Sequence, residues 1–150
     1  MSVTLRPMAW PDIEIVAAIE TELFLDDPWT PEMFWSELAA VPESREVMVA
    51  VDGDDIVGYA SLRFVATESD VNTIAVRADR QGQGIGRQLM TWIESAAIAH
   101  GSREMFLEVR SDNTVAAAMY DADGYERIDV RPNYYGTGVD AIVMRKKLSA

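Results

Sequence analysis

The chain is organised around the stretch Ile74-Ala75-Val76-Arg77-Ala78-Asp79-Arg80-Gln81-Gly82-Gln83-Gly84-Ile85-Gly86-Arg87. Apolar strand residues lead into a loop rich in Arg, Gln and Gly. In the segment that follows, apolar residues recur at spacings of three and four, which predicts a helix with one buried face. The residues of that face are Ile85, Leu89, Trp92, Ile93 and Ala96.

The loop has the chemistry of a site for a phosphorylated ligand. Its glycines, at positions 82, 84 and 86, let the backbone approach a ligand closely because they carry no Cβ. The free N–H groups of the first helical turn favour negative charge, and Arg80 and Arg87 add two cations at the same place. Taken alone, the pattern also suits a plain glycine turn that leads into a surface helix.

Two common phosphate-binding loops are excluded by the spacing. A Walker loop ends in Gly-Lys-Ser/Thr, whereas Arg87 follows Gly86 here, and the dinucleotide fingerprint G-x-G-x-x-G does not match G-x-G-x-G. The loop resembles the Arg/Gln-x-x-Gly-x-Gly/Ala loop of the acetyl-CoA-dependent N-acetyltransferases of the GNAT superfamily. Gln81, Gly84 and Gly86 stand at the matching positions. The resemblance implies that the loop amides hold the pyrophosphate of coenzyme A.

Length and composition indicate one domain, residues 1–150, with a core of its own. The chain has no Cys and one His, which excludes disulfides, Cys nucleophiles and multi-histidine or thiolate metal sites, so we expect no metal. No basic leader precedes an apolar run at the N-terminus, and no apolar stretch is long enough to cross a membrane. We therefore expect a cytoplasmic protein that has no contact with a membrane and is a monomer.

The net charge of −12 is unevenly distributed along the chain. Residues 1–70 contain fifteen Asp and Glu against three Arg, whereas residues 71–150 contain ten acidic and ten basic residues. This asymmetry suggests an anionic cofactor in the second half and a basic substrate attracted by the first, although solubility alone would also explain it. Direct binding of nucleic acid is not expected, because no basic patch carries interleaved aromatic residues.

Periodicity and turn signals predict the element order β-α-α-β-β-β-α-β-α-β-β. Asp12 is a candidate cap for the first helix and Thr30-Pro31 for the second, whose buried face should include Phe34, Trp35 and Leu38. The strands are expected at 3–6, 47–51, 56–64, 71–76, 105–109, 125–130 and 141–146. The first helix should follow Asp12 and the second should begin at Pro31, while the third should run from the glycine loop to about His100 and the fourth should span 114–122. This order predicts an α/β fold with a mixed sheet and helices on both faces. It also matches the GNAT fold from end to end.

Several side chains near the second half of the sheet are candidates for chemistry. Glu108 interrupts the apolar strand Leu107-Glu108-Val109, where it is either a general base or an acid that emerges at the strand end. Asn113 and Tyr120 are seven residues apart and share one helix face, with small alanines between them that leave room for a cofactor arm. Asn113 also suits an N-cap, and Tyr120 also suits the core. His100 is more readily explained as a charge at a helix C-terminus than as a catalyst.

Further motifs narrow the resemblance to the ribosomal-protein-alanine N-acetyltransferase (RimI) branch of the superfamily. They are Leu-Glu-Val-Arg from 107, Ser-x-Asn from 111, Ala-x-x-x-Tyr from 116, Gly-Tyr at 124, Pro-Trp at 28, and the segment 131–135 before 140–144. Pro132 departs from the pattern, because a basic residue is expected there.

The resemblance implies a role for each of these residues. Glu108 would be the proton acceptor and Tyr120 the proton donor. The residues implied to contact acetyl-CoA are Ile74, Ala75, Val76, Gln81, Gly82, Gln83, Gly84, Ile85, Gly86, Arg87 and Asn113. Trp29, Tyr134 and Tyr135 would line the substrate pocket, with Tyr134 and Tyr135 in a Gly-flanked loop, although these aromatics could also pack the domain edge. We further expect a splaying of the strand near Val76 that frees a backbone N–H for the oxyanion.

The expected activity is transfer of acetyl from acetyl-CoA to the N-terminal alanine of a ribosomal protein. Without Cys, the amine would attack the thioester directly. An α-amine with a pKa of ~7.7–8.0 is roughly a tenth neutral at pH 7, and a lysine amine is below about a thousandth, which favours the N-terminal acceptor. Two alternatives stay open: a lysine, polyamine or antibiotic amine as acceptor, and a non-catalytic acetyl-CoA-binding module.

Overall fold

A seven-stranded mixed sheet, flanked by helices on both faces, forms the frame of the computed structural model, which describes residues 2–149. The elements are β1 (Thr4–Pro7), α1 (Ile13–Leu23), α2 (Pro31–Ala39), β2 (Arg45–Asp52), β3 (Asp55–Val65), β4 (Glu68–Val76), α3 (Ile85–Ala99), β5 (Glu104–Arg110), α4 (Thr114–Ala122), β6 (Glu126–Gly136) and β7 (Val139–Lys147). The order predicted from the sequence is confirmed. Within the described residues, no helix is both long and apolar enough to cross a membrane.

The strands lie in the order β1-β2-β3-β4-β5-β7-β6. Among the described strands, β4 and β5 form the one parallel pair, and every other neighbouring pair is antiparallel. The two helices before β2 pack on one face of the sheet and the two after β4 pack on the other. This arrangement is a mixed α/β fold, as predicted.

The two cores follow from side-chain alternation along the strands. Leu107 and Val109 of β5 join the core under α3 and α4, and Tyr59 of β3 joins the core under α1 and α2. The buried residues of α3 are Ile85, Leu89, Met90, Ile93 and Ala97. Trp92 and Ala96, predicted on this face, lie at its edge and are partly buried.

The pairing of β4 with β5 ends early, and this opens the sheet. Backbone partners run from Glu68↔Glu104 to Asp70↔Phe106 and stop there. On its other side β4 stays paired with β3 as far as Val76, with a bulge where the register steps from Val71 to Thr73. The two neighbouring strands therefore diverge after Asp70, next to the bulge, and Val76, where splaying was expected, lies in the diverging part of β4.

Two predictions about the first two helices were wrong, and a third about the second helix was confirmed. Asp12 makes no capping bond to α1, because its carboxylate accepts hydrogen bonds from Arg6 at 2.7 Å and from the Ala9 amide at 2.8 Å. Trp35 is 49% exposed and stacks on Trp10, since the buried face of α2 is centred on Phe34 and Glu37, one helical step away. Thr30, in contrast, caps α2 as predicted.

Tyr134 and Tyr135 do not lie in a loop as predicted, because β6 continues to Gly136 and pairs again there with Val139 of β7. Asn133 interrupts the ladder with a positive φ of 55°. Pro132 is tolerated because β6 is the last strand of the sheet, where one edge needs no donor.

Candidate active site at the β4–β5 splay

The glycine loop forms an open cradle at the N-terminus of α3. Gly82 and Gly84 have φ angles of +78° and +83°, a left-handed conformation that side chains disfavour. A Cβ added at either position would meet no atom within 4 Å. Gly84 caps a helix of 15 residues, so the first-turn amides face this open space. The backbone here suits an anionic group of the size of a phosphate.

The two arginines expected to add positive charge at this loop, Arg80 and Arg87, are both paired with carboxylates. Arg87 binds Asp123 at 2.7 Å, and Arg80 binds Asp52 at 3.0 Å. The amide of Gln81 donates to the Val76 carbonyl oxygen at 3.1 Å and ties the loop back to β4. The positive potential of the cradle therefore comes mainly from backbone N–H groups.

The end of β4 presents backbone to the splay. The Arg77 N–H donates to the Val57 carbonyl oxygen of β3 at 2.8 Å. Because successive N–H groups of a strand point to opposite sides, the Val76 N–H points away from β3 and into the splay. This is the position expected for an oxyanion donor.

Glu108 lies on β5, opposite the splayed end of β4. Its neighbours Leu107 and Val109 face the α3–α4 core, so the Glu108 side chain projects from the α1–α2 face of the sheet. That side chain is 29% exposed, and Arg131 of β6 approaches it to 3.3 Å. An acid in this strand is tolerated because it emerges from the sheet rather than entering the core.

Tyr120 lies on α4, on the opposite face of the sheet from Glu108. Its side chain is 6% exposed and packs edge-on against Tyr125, with ring centroids 5.8 Å apart. Burial, with a smaller contribution from Asp123, raises the pKa of Tyr120 to about 12. The Tyr120 hydroxyl makes no hydrogen bond to the described residues 2–149. Because every fully buried side-chain oxygen or nitrogen among them has a partner, this hydroxyl is not fully buried and reaches solvent.

Asn113 caps α4, as one of its two predicted roles requires. Its Oδ1 accepts a hydrogen bond from the Ala116 N–H at 3.1 Å. Ala117 is buried on the helix face between Asn113 and Tyr120, and Ala116 is partly buried.

The predicted substrate aromatics lie around the end of β5. Arg110 is 3.8 Å from Asp26 in the α1–α2 loop, and its guanidinium stands 5.3 Å from the Tyr135 ring centroid. Tyr134 is 54% exposed beside Tyr135. Trp29, from the same loop as Asp26, packs on Phe34 with centroids 5.2 Å apart. The structure thus brings the α1–α2 loop and β6 to the same end of β5 as Glu108.

Two buried carboxylates near this region were missed by the sequence analysis. Glu20 of α1 is 3% exposed and Glu37 of α2 is 6% exposed. Each lies on the apolar stripe of its helix, and this interruption of the stripe is the signal that could have revealed them. His100 lies elsewhere, stacked on Phe64 and hydrogen-bonded to Glu46, and is no part of the site.

The family model of the Acetyltransferase (GNAT) family matches residues 13–125, which is most of the chain. The chain belongs to the GNAT family of acetyltransferases. The predicted family and enzyme class are confirmed, and the match includes the glycine loop, Glu108 and Tyr120.

Relatives of the chain include N-acetyltransferases named for the α-amine or for the N-terminal alanine of a ribosomal protein. The N-alpha-acetyltransferase RimI of Mycobacterium tuberculosis is 39% identical over 96% of this chain and 92% of its own. The [ribosomal protein bS18]-alanine N-acetyltransferase of Escherichia coli K12 is 34% identical over 81% of this chain and 82% of its own. The crystal structure of the Escherichia coli ribosomal-protein-S18-alanine N-acetyltransferase superposes with a TM-score of 0.88 at 28% identity, covering 99% of this chain and 96% of that one.

Proposed function

We propose that this protein transfers the acetyl group of acetyl-CoA to the α-amine of an N-terminal alanine, and that its acceptor is ribosomal protein bS18. The similarity to enzymes named for that reaction supports the proposal over most of the chain. The observation that carries it is the splay between β4 and β5, because the glycine cradle follows the splayed end of β4 and Glu108 lies on the facing strand β5. The protein would act as a single cytoplasmic domain.

The residues of the cradle fit acetyl-CoA. The space above Gly82 and Gly84 is open, and the first-turn amides of α3 provide donors for a pyrophosphate. The residues that would hold acetyl-CoA are Ile74, Ala75, Val76, Gln81, Gly82, Gln83, Gly84, Ile85, Gly86, Arg87 and Asn113. When bound, acetyl-CoA supplies a thioester carbonyl as the electrophile.

Glu108 acts as the proton acceptor for the incoming amine. Its side chain is partly exposed on the face where the α1–α2 loop and β6 meet, so an acceptor can reach it from solvent. A neutral amine attacks the carbonyl directly, because the chain has no Cys to form an acyl-enzyme. Only about a tenth of an α-amine is neutral at pH 7, so a base raises the reactive fraction by about tenfold.

Tyr120 acts as the proton donor from the other face. With a pKa of about 12 it stays protonated at any physiological pH. Full proton transfer to a thiolate whose thiol has a pKa of ~8.5 is uphill by about 5 kcal/mol. The Tyr120 hydroxyl therefore stabilises the thiolate mainly by hydrogen bonding, and passes its proton late as charge develops.

The acceptor side of the protein is acidic, which suits a basic protein substrate. All three arginines of residues 1–70 are paired with carboxylates, Arg6 with Asp12, Arg45 with Glu37 and Arg63 with Asp70. Residues 1–70 therefore keep a net charge of −12, and Glu22, Asp26, Asp27 and Glu32 place part of this negative charge in and beside the α1–α2 loop. The field of this charge accelerates the association of positively charged partners and weakens with salt.

The test is incubation of the protein and acetyl-CoA with peptides that share a sequence and differ at the first residue. We expect mass spectrometry to find acetyl on the α-amine of Ala-initiated peptides, with internal lysines unmodified. A matched peptide whose α-amine is blocked should stay unmodified. Acetylation of that blocked peptide on lysine would contradict the N-terminal assignment, and acetyl-CoA binding without any transfer would indicate a binding module.

A further inference from the structure

Two buried carboxylates take no part in the proposed chemistry, yet both adjoin the parts of the fold that shape the site. Glu20 and Glu37 come from neighbouring helices and hydrogen-bond to Tyr59 and Ser61, two residues apart on the same face of β3. Burying a carboxylate is costly unless its oxygens are hydrogen-bonded. The donors that bind these carboxylate oxygens therefore indicate which parts of the fold each carboxylate holds in place.

Glu20 connects the α1–α2 loop to β3. One of its oxygens accepts from the Tyr59 hydroxyl at 2.6 Å, and the other accepts from the Trp29 backbone N–H at 3.0 Å. The Phe34 ring packs against both the Trp29 ring and the Tyr59 ring, with centroid distances of 5.2 Å and 5.7 Å. Asp26 of the same loop lies 3.8 Å from Arg110. Glu20 thus fixes the loop that borders the acceptor side of Glu108.

Glu37 connects α2 to the bulge of β4. Its Oε1 accepts from the Ser61 hydroxyl at 2.6 Å and from the Asn72 side-chain amide at 2.7 Å, while its Oε2 accepts from Arg45 at 3.0 Å. Asn72 is the bulged residue, and the last backbone pair between β4 and β5 involves Asp70, two residues earlier. Glu37 thus holds β4 at the point where it leaves β5.

We propose that these two carboxylates are positioning residues, and that each supports the binding of a different substrate. Glu20 fixes the α1–α2 loop, on the acceptor side, through Trp29. Glu37 fixes β4, which leads into the acetyl-CoA cradle, through Asn72. An ionised carboxylate suits this task because it only accepts hydrogen bonds and can take donors from several elements at once. The assignment of sides rests on the proposed function.

The first arm of the test concerns the acceptor. Glu20→Met keeps the volume and removes both hydrogen bonds, so the loop loses its attachment to β3. We expect the KM for the Ala-initiated peptide to rise about tenfold, while the Kd for acetyl-CoA, measured by calorimetry, changes less than about twofold. Glu20→Gln can accept from Trp29 and donate to the Tyr59 hydroxyl, so it should restore most of the acceptor KM.

The second arm concerns the cofactor and uses Asn72→Ala as the matched variant. This change removes the bond to the bulge but leaves Glu37 paired with Ser61 and Arg45. The Kd for acetyl-CoA should rise about fivefold to tenfold, with the acceptor KM within about twofold of wild type. Glu20→Met should therefore weaken the use of the acceptor alone, and Asn72→Ala should weaken the binding of acetyl-CoA alone.

Equal effects of both variants on both substrates would overturn the proposal, as would a lower melting temperature with neither constant changed. If Glu20→Met fails to fold, Tyr59→Phe takes its place, because it keeps the ring against Phe34 and removes one donor from Glu20. It should raise the acceptor KM a few-fold and spare acetyl-CoA binding. A wild-type protein that acetylates no peptide would refute the proposed function instead, and the calorimetry of Asn72→Ala would still be readable.

Discussion

The two faces of the central sheet are built by different physical means. The core under α3 and α4 is a continuous set of aliphatic, methionine and tyrosine side chains. The face under α1 and α2 has an apolar core of its own, but every buried carboxylate among residues 2–149 lies on the chain before β2, at Asp12, Glu20 and Glu37. The difference matches what each face has to support.

The α3–α4 face holds the helix N-terminus that forms the glycine cradle, and the α1–α2 face holds the loop that carries Trp29. Burial of apolar area is non-directional, and it is sufficient to fix a helix whose N-terminus presents its own amides. A loop has no such internal ladder, so its position depends on directional bonds such as the one from the Trp29 amide to Glu20. The comparison predicts that substitutions on the two faces will affect different steps of the reaction.

The largest effect is expected from Tyr120→Phe, which removes one hydroxyl from the α3–α4 face and keeps the ring. We expect kcat to fall by roughly 10²–10⁴, with acetyl-CoA affinity almost unchanged. Tyr125→Phe is the matched control, because that neighbouring hydroxyl donates to Glu94 at 2.8 Å and has no part in the proposed chemistry. Wild-type turnover in Tyr120→Phe would return this residue to the core.

The pH dependence gives a second test of Tyr120. Its pKa is raised from 10.0 to about 12, so the hydroxyl keeps its proton as pH rises through the range where a free tyrosine ionises. The kcat profile should therefore show no loss from Tyr120 ionisation below about pH 11. A fall in kcat near pH 10 that is absent in Tyr120→Phe would contradict the raised pKa.

The next effect is expected at the glycine cradle, where Gly84→Ala adds a Cβ in the space assigned to the pyrophosphate. Acetyl-CoA affinity in calorimetry should fall about tenfold or more. Gly101→Ala is a close control, since its φ of +88° matches the +83° of Gly84 and its Cβ also meets no atom within 4 Å. Both variants should lose about 1 kcal/mol of stability from the left-handed backbone, so a difference in affinity isolates the ligand contact.

Glu108→Gln tests the exposed acid of the α1–α2 face. We expect turnover at pH 7 to fall about tenfold, because only about a tenth of an α-amine is neutral without help. The defect should shrink as pH rises through the acceptor pKa near 8, provided that chemistry limits the rate. For a lysine acceptor the recovery would begin only beyond about pH 10. A constant defect from about pH 6 to 9.5 would leave Glu108 a positioning role.

The smallest effects are expected from the two helix caps, one on each face. Thr30→Ala and Asn113→Ala each remove a side-chain acceptor from a helix N-terminus, and each should lower the free energy of unfolding by about 1 kcal/mol. Only Asn113→Ala should also weaken acetyl-CoA binding, because Asn113 is the cap at the proposed cofactor site. Equal acetyl-CoA affinity in both variants would remove Asn113 from the ligand set.

Predictions from the sequence succeeded where the signal was local. The order of elements, the cap at Thr30 and the helix start after Gly84 follow from neighbouring residues, and all are present. The cap at Asp12 failed because Arg6 competes for the same carboxylate. The roles given to Glu108 and Tyr120 stay predictions, although their placement on opposite faces of the splayed sheet is compatible with both.

The fold class and the loop of the candidate site could be predicted from the sequence, because glycine spacing, helix period and turn residues act over a few positions. The family was predicted from the resemblance of the motifs. The pairing of distant charged and polar groups became visible only in the folded chain. Arg87 finds Asp123, 36 residues away, and Glu37 finds Asn72, 35 residues away. The point where β4 leaves β5 also became visible only there. These outcomes depend on which distant side chains the packed sheet brings within hydrogen-bond distance, and no local pattern encodes that choice.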